Sequence, residues 1–195
     1  LNSRSIPYKS IVISESMDRE LTPLLDASKD NILIPSSGNI GVLGEVLSTL
    51  NGLSELNSEY NIHMFGYPEW LTYEYNYLKD YHNHGTYIYA SFYVDNDASD
   101  TVDFRDGFKK WYKKDLQKTY PQYAMLGYDT GLYFLTALHK YGRNFETKLN
   151  SMYVDTTQFA FNFERANNWS GFINTGLYLI HYDTNSRIIK SNKSR

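Results

Sequence analysis

Short apolar runs alternate with stretches in which apolar residues recur every three or four positions. Tyr8-Lys9-Ser10-Ile11-Val12-Ile13-Ser14, rich in β-branched residues, predicts a strand. Asp18 to Ala27 holds Leu21, Leu24 and Leu25 at helical spacing, with Pro23 admissible in a first turn. Asn31-Ile32-Leu33-Ile34-Pro35 is a continuous apolar run, the pattern of a buried parallel strand, and Ser36-Ser37-Gly38 follows as a loop. Residues 40–53 place Leu43, Val46, Leu47 and Leu50 on one helical face before Asn51-Gly52. A strand over Asn61–Gly66, a tyrosine-studded helix over 71–83 and a strand over Thr86–Val94 complete this half. Strands and helices alternating at intervals of about 30 residues predict βαβ units around a parallel sheet.

The pattern then changes. Asp95 to Asp103 reads as an acidic loop with no large apolar residue before Val102. A helix follows with Phe104, Phe108, Trp111, Tyr112 and Leu116 on one face. A second starts after Pro121 and runs to about Tyr141, with Met125, Leu132, Leu135 and Leu138 directed inward and Gly142 as its cap. Phe159 to Phe163 alternates apolar and polar as a half-buried strand does. Asn167 to Gly171 predicts a turn, Thr175 to Tyr182 a strand and Arg187-Ile188-Ile189 a third, together an antiparallel meander. The polar tail Ser191–Arg195 is expected to fray. The expected fold class is α/β: a mainly parallel sheet flanked by helices, with C-terminal antiparallel strands.

Composition narrows the function classes. The 195 residues contain no cysteine, which removes disulfide scaffolds, thiolate metal sites and thiol nucleophiles. A net charge of −3 argues against a dedicated nucleic-acid binder. No apolar run approaches the ~20 residues of a membrane span. Tyrosine occurs 19 times and asparagine 17 times, a pairing suited to wet, hydrogen-bonding clefts that face sugars or peptides. The chain opens on Leu1 rather than Met, so a longer product is expected, with a signal sequence or further domains outside it.

Candidate chemistry is sparse. Gly38-Asn39-Ile40-Gly41 lacks the dinucleotide and P-loop spacing, so Gly38 reads as a βα-turn glycine before it reads as an anion site. His82-Asn83-His84 reads as a solvated helix end rather than a zinc site. Asp95, Asp97, Asp100 and Asp103 resemble a calcium loop but lack its glycine and glutamate, which favours a solvated linker. The sequons Asn168-Trp169-Ser170 and Asn192-Lys193-Ser194 carry little weight. No nucleophile–base–orienter set is found, no cofactor is implied, and Glu69 with Asp129 is the pair a glycan-processing enzyme would have to use. Ligands of open α/β sheets bind beyond the carboxyl ends of the strands. Those loops hold Ser14, Ser36, Ser37, Tyr67, Glu69, Trp70, Ser91 and Tyr93, hydroxyls with a carboxylate and large aromatics. They are the expected ligand-binding residues for a small polar ligand.

The order of these segments resembles a known family. The strand Asn31–Ser37, the leucine-rich helix, Phe65-Gly66-Tyr67-Pro68-Glu69-Trp70, Tyr87-Ile88-Tyr89-Ala90, Phe108-Lys109-Lys110-Trp111-Tyr112, Pro121-Gln122-Tyr123-Ala124 and Gly127-Tyr128-Asp129 follow one another in sequence. Together they are similar to the second half of type I periplasmic substrate-binding proteins of the leucine/isoleucine/valine-binding type. They look in particular like a branch of Bacteroides-type envelope proteins that carries LysM modules on the same polypeptide. The resemblance implies a two-lobed α/β fold outside the cytoplasm. Residues 1–94 would be the sheet core of the second lobe, 95–150 helices that dock on the first lobe, and 151–195 strands returning to the second. It implies a non-enzymatic function: closing over an amino acid or a cell-wall-derived fragment. A cell-envelope interaction module that docks proteins or peptidoglycan is the alternative. With no first-lobe strands in the chain, the helices at 103–141 would need another partner, and a homodimer is one expectation.

Overall fold

The computed structural model describes residues 6–56, 59–167 and 169–192. In chain order the elements are α1 (Met17–Leu21), β1 (Asp30–Leu33), α2 (Ile40–Leu56), β2 (Asn61–Gly66), α3 (Glu74–Asn83), β3 (Tyr87–Ala90), α4 (Ser99–Tyr112), α5 (Tyr123–Tyr141), β4 (Phe163–Arg165), β5 (Phe172–Asn174), β6 (Tyr178–Tyr182) and β7 (Ile188–Asn192). Short 3₁₀ segments at Thr22–Leu24, Pro68–Tyr73 and Gly142–Ser151 extend α1, precede α3 and follow α5. The fold class is α/β: a mixed five-stranded sheet of order β1-β2-β3-β6-β7, and a two-stranded antiparallel sheet of β4 and β5. β1, β2 and β3 are parallel, in register Asp30↔Asn61 and Phe65↔Tyr87. Among the described residues, no helix is long and apolar enough to cross a membrane. The chain divides into two compact units, Leu1–Ile88 with His181–Ile189 and Tyr89–Ile180 with Lys190–Arg195.

The first unit is built on the leucine face of α2. Leu43, Val46, Leu47, Leu50 and Leu53, spaced three and four apart, are all buried, as their periodicity predicts. Trp70 and Tyr81 extend this core: their rings stack at 6.3 Å, and the Tyr81 hydroxyl donates to the Trp70 carbonyl at 2.9 Å. Gly66 is required there, because a Cβ at that position would lie 2.0 Å from the Trp70 ring. Gly85, at φ +47°, makes the left-handed turn into β3 while the His63 ring occupies the space a Cβ would need. The Asn51 amide donates to Asp80 and accepts from His84, both at 2.8 Å, and so joins α2 to the end of α3.

Several expectations change here. Residues 8–13 form no strand; they are mostly exposed, and β-branched residues favour a strand only where a sheet face exists to pack against. β1 is an edge strand rather than a buried one, with Ile32 exposed, because it has a neighbour on one side only. His84 is buried and paired with Asn51, not solvated. His82 binds the Asp183 carbonyl at 2.7 Å. The hairpin from β6 to β7 is closed by Asp183, which accepts the Asn185 and Arg187 N–H groups at 2.9 Å and the Arg187 guanidinium at 2.6–2.7 Å. A connection this short can join only antiparallel strands. Ser191 and Asn192, assigned to the fraying tail, belong to β7; the remaining tail residues, and the asparagine of the Asn168 sequon, lie outside the described residues.

The second unit has its core at Tyr133, Ala137, Leu149 and Met152, surrounded by Phe134, Phe161, Phe163 and Phe172. The Tyr133 hydroxyl donates to the Leu149 carbonyl at 3.1 Å, so a phenol is buried without an orphaned polar atom. This rotates α5 from its expected setting. Its buried stripe is Met125, Asp129, Tyr133 and Ala137, while Leu135 and Leu138 are exposed. Apolar spacing, which placed Leu135 and Leu138 inward, takes no account of the tertiary hydrogen bonds that bury the aspartate and the tyrosine. α4 begins at Ser99, so half of the expected acidic loop is helix; it ends where Lys113 turns left-handed at φ 54°. Phe159 to Asn162 forms no continuous strand: Phe159 makes an isolated bridge to Phe92, and β4 starts at Phe163.

Candidate functional site

The expected ligand residues fall into three local settings. Ser14 and Ser16 share a hydroxyl contact of 3.1 Å ahead of α1, and Ser14 is exposed. Ser36 is exposed, and the Ser37 hydroxyl accepts the Asn39 N–H at 3.2 Å, a local loop bond. The loops after β1 and β2 do meet: a Cβ on Gly38 would lie 3.0 Å from Oε2 of Glu69, which is itself exposed. Tyr67 sets its ring edge-on to Trp70 at 6.5 Å. Trp70 is completely buried between Gly66 and Tyr81 and has no exposed ring face. Ser91 and Tyr93 belong to the second unit, where the Ala160 N–H bonds the Ser91 carbonyl and the Tyr93 N–H bonds the Gln158 carbonyl, each at 2.9 Å. Ser91 is exposed and Tyr93 is buried, both beyond the end of β3 at Ala90.

A concave feature of the second unit lies elsewhere. A groove of about 720 Å³ runs between α4, α5 and the segment 155–157, a size within the ~300–1,000 Å³ of small-molecule sites. α4 supplies one wall from a single face: Asp100, Asp103, Phe104, Gly107, Phe108, Trp111 and Tyr112 recur at the three- and four-residue spacing of a helix. Their rings form a ladder, with centroids 6.3 Å apart for Phe104–Phe108 and 4.7 Å for Phe108–Tyr112. Tyr128 of α5 joins it at 5.0 Å from Phe104. Trp111 is 79% exposed, so its indole is available for stacking. A Cβ on Gly107 would meet nothing within 4 Å, so the groove is open at that point.

The opposite wall is held by a buried carboxylate. Asp129, fully buried on α5, accepts four hydrogen bonds. Its Oδ1 takes the Thr157 N–H at 2.9 Å and the Thr157 hydroxyl at 2.7 Å; its Oδ2 takes the Gln158 and Phe159 N–H groups at 2.8 and 2.9 Å. The buried Gln158 amide then brackets the start of α5, accepting from the Gln122 N–H at 2.9 Å and donating to its carbonyl at 3.2 Å. These bonds fix the segment from which Asp155, Thr156 and Thr157 face the groove. Thr156 is pinned in turn by its hydroxyl bond to the Phe159 carbonyl.

The groove can therefore stack a planar or apolar ligand surface against rings and bind its polar groups through three carboxylates and the hydroxyls of Thr156, Thr157, Tyr112 and Tyr128. Asp129, one of the two carboxylates a glycan-processing enzyme would use, is fully buried with both oxygens accepting hydrogen bonds. No group of three or more His, Asp or Glu among the described residues is arranged to hold a metal ion. Sequence reasoning identified the aromatic face of α4 but not the groove. The usable signal was that Asp100 and Asp103 continue that face at helical spacing; the part played by residues 155–157 has no local signature. Compared with family models, with curated proteins and with solved structures, the chain gives no match.

Proposed function

We propose that this chain is a non-enzymatic binding module of the cell envelope, and that it takes a small polar ligand with an apolar or planar face into the α4–α5 groove. The observation that carries this reading is the groove itself: a volume suited to a small molecule, a ladder of rings on one wall and fixed hydroxyls on the other. The envelope setting, the periplasmic-binding-protein-like fold and the LysM company rest on the family resemblance of the sequence. An amino acid or a cell-wall-derived fragment remains the proposed ligand class. The strand-end residues Ser36, Ser37, Tyr67 and Glu69 are a second contact surface in this proposal, and Trp70 supports them from the core.

The test is a thermal-shift and calorimetric screen of amino acids, amino sugars and muropeptides. A ligand at 100 times its Kd stabilises the folded state by about 2.7 kcal/mol, a shift of roughly 5–10 °C in a chain of this size. Gly107→Met fills open space in the groove and should abolish the shift while leaving the fold intact. A screen without any shift, or a shift unchanged by Gly107→Met, refutes the assignment. The exposed Leu135 and Leu138 on α5 favour a second reading, docking of envelope proteins or peptidoglycan. Co-sedimentation with insoluble peptidoglycan in the absence of any small-ligand shift would favour it.

A further inference from the structure

Resting on the groove assignment above, we infer that the groove selects positively charged ligands, small organic ammonium compounds whose cation meets carboxylates while the carbon skeleton stacks on rings.

The argument is one of charge and zoning. Asp100 and Asp103 lie toward the start of the α4 face, and Phe108, Trp111 and Tyr112 lie toward its end. Asp155 comes from a different segment of the chain. Among the described residues that line the groove there is no Lys, Arg or His. Arg105, Lys109 and Lys110 of α4 are not among the groove-lining residues; Lys109 pairs with Asp115 at 2.9 Å, and Arg105 bonds the Asn96 side chain. None of the three groove carboxylates is ion-paired among the described residues; Asp100 and Asp155 receive hydroxyls at 3.4 and 3.2 Å. The helix dipole explains an acidic residue in the first turn of α4. It does not explain Asp155, nor the exclusion of every base from a surface bordered by lysines. Electron-rich ring faces beside carboxylates form the general environment that attracts ammonium groups. An anionic ligand would meet three like charges with no compensating donor of positive charge.

The experiment uses the whole chain at pH 7 and low salt, with tryptophan fluorescence and calorimetry as readouts. The probes are two matched pairs, phenethylamine against 2-phenylethanol and glucosamine against N-acetylglucosamine. The expected result is at least a tenfold preference for the amine of one pair, weakened by 0.5 M salt as screening requires. It should also be lost in Asp103→Asn combined with Asp155→Asn, two exposed positions where the fold should persist by circular dichroism. Equal or tighter binding of the neutral member overturns the charge inference and leaves the binding module standing. Retained preference in the double variant overturns it as well. If no probe binds and the muropeptide screen is also silent, the binding-module reading fails with it.

Discussion

Replacing Asp129 by Asn removes a single charge but disturbs three backbone N–H groups and one hydroxyl at once. In its best orientation the amide oxygen accepts from Gln158 and Phe159, and the amide NH₂ is left facing the Thr157 N–H. One buried donor is then unsatisfied, which costs about 1–3 kcal/mol, and two charge-assisted bonds become neutral ones, at about 1 kcal/mol each. Relief of burying a charge offsets part of this, so the expected loss is roughly 2–4 kcal/mol. For a chain of this length that is a fall in Tm of about 5–15 °C. Asp129→Ala should cost more, since it leaves all four donors without an acceptor. Thr157→Val should cost about 1–2 kcal/mol, since it deletes only the hydroxyl bond. Urea unfolding followed by far-UV circular dichroism gives the three values by linear extrapolation. Amide hydrogen exchange at residues 157–159 should accelerate first in the Asn variant. A loss below about 1 kcal/mol, or an order other than Ala, Asn, Val, would refute the claim that this carboxylate holds the groove wall.

Three further outcomes follow from the packing. Gly66→Ala should destabilise by at least about 1–3 kcal/mol, because its Cβ meets the Trp70 ring, whereas Gly107→Ala, which points into open space, should stabilise by about 0.5–1 kcal/mol; urea midpoints of the two variants test the contrast. Tyr133→Phe should cost about 1–3 kcal/mol by leaving the buried Leu149 carbonyl without its donor, and a neutral result in the same assay would count against that bond. Stability should decline as pH falls below about 6.5. Burial lowers the His84 pKa, with His63 adding to this and Asp80 opposing it; burial also lowers that of His181, with His63 and His82 adding and Asp183 opposing. Groups held neutral by the fold stabilise it above their unfolded pKa and stop doing so as acid protonates them. Asp183, lowered chiefly by the Arg187 backbone N–H, withdraws its contribution at lower pH still. Glu74, raised by burial, acts in the opposite sense and weakens the fold as pH rises through its pKa. A urea midpoint at pH 5.5 equal to that at pH 7.5 would contradict the histidine argument. His84→Gln, which keeps an N–H for Asn51, should flatten the profile.

What the chain's own periodicity determines is the set of elements whose burial repeats along the backbone. The α2 leucines, the Asn61–Gly66 strand, the parallel β1–β3 succession and the Gly142 cap of α5 are legible because their spacing is local and their partners are interchangeable apolar surface. The aromatic face of α4 is legible for the same reason. What only the tertiary structure decided is every choice that turned on a specific partner distant in sequence. Asp129 and Tyr133 face inward because residues 157–159 and Leu149 satisfy their oxygens. Trp70 is core rather than ligand platform because Gly66 leaves room for its ring. The tract at 8–13 is no strand, because no sheet face was available to it. A polar side chain costs free energy to bury unless it is hydrogen-bonded, so its orientation is set by whether a distant donor or acceptor arrives. Residue spacing carries no record of that arrival, and for that reason the groove wall at 155–157 could be found only in three dimensions.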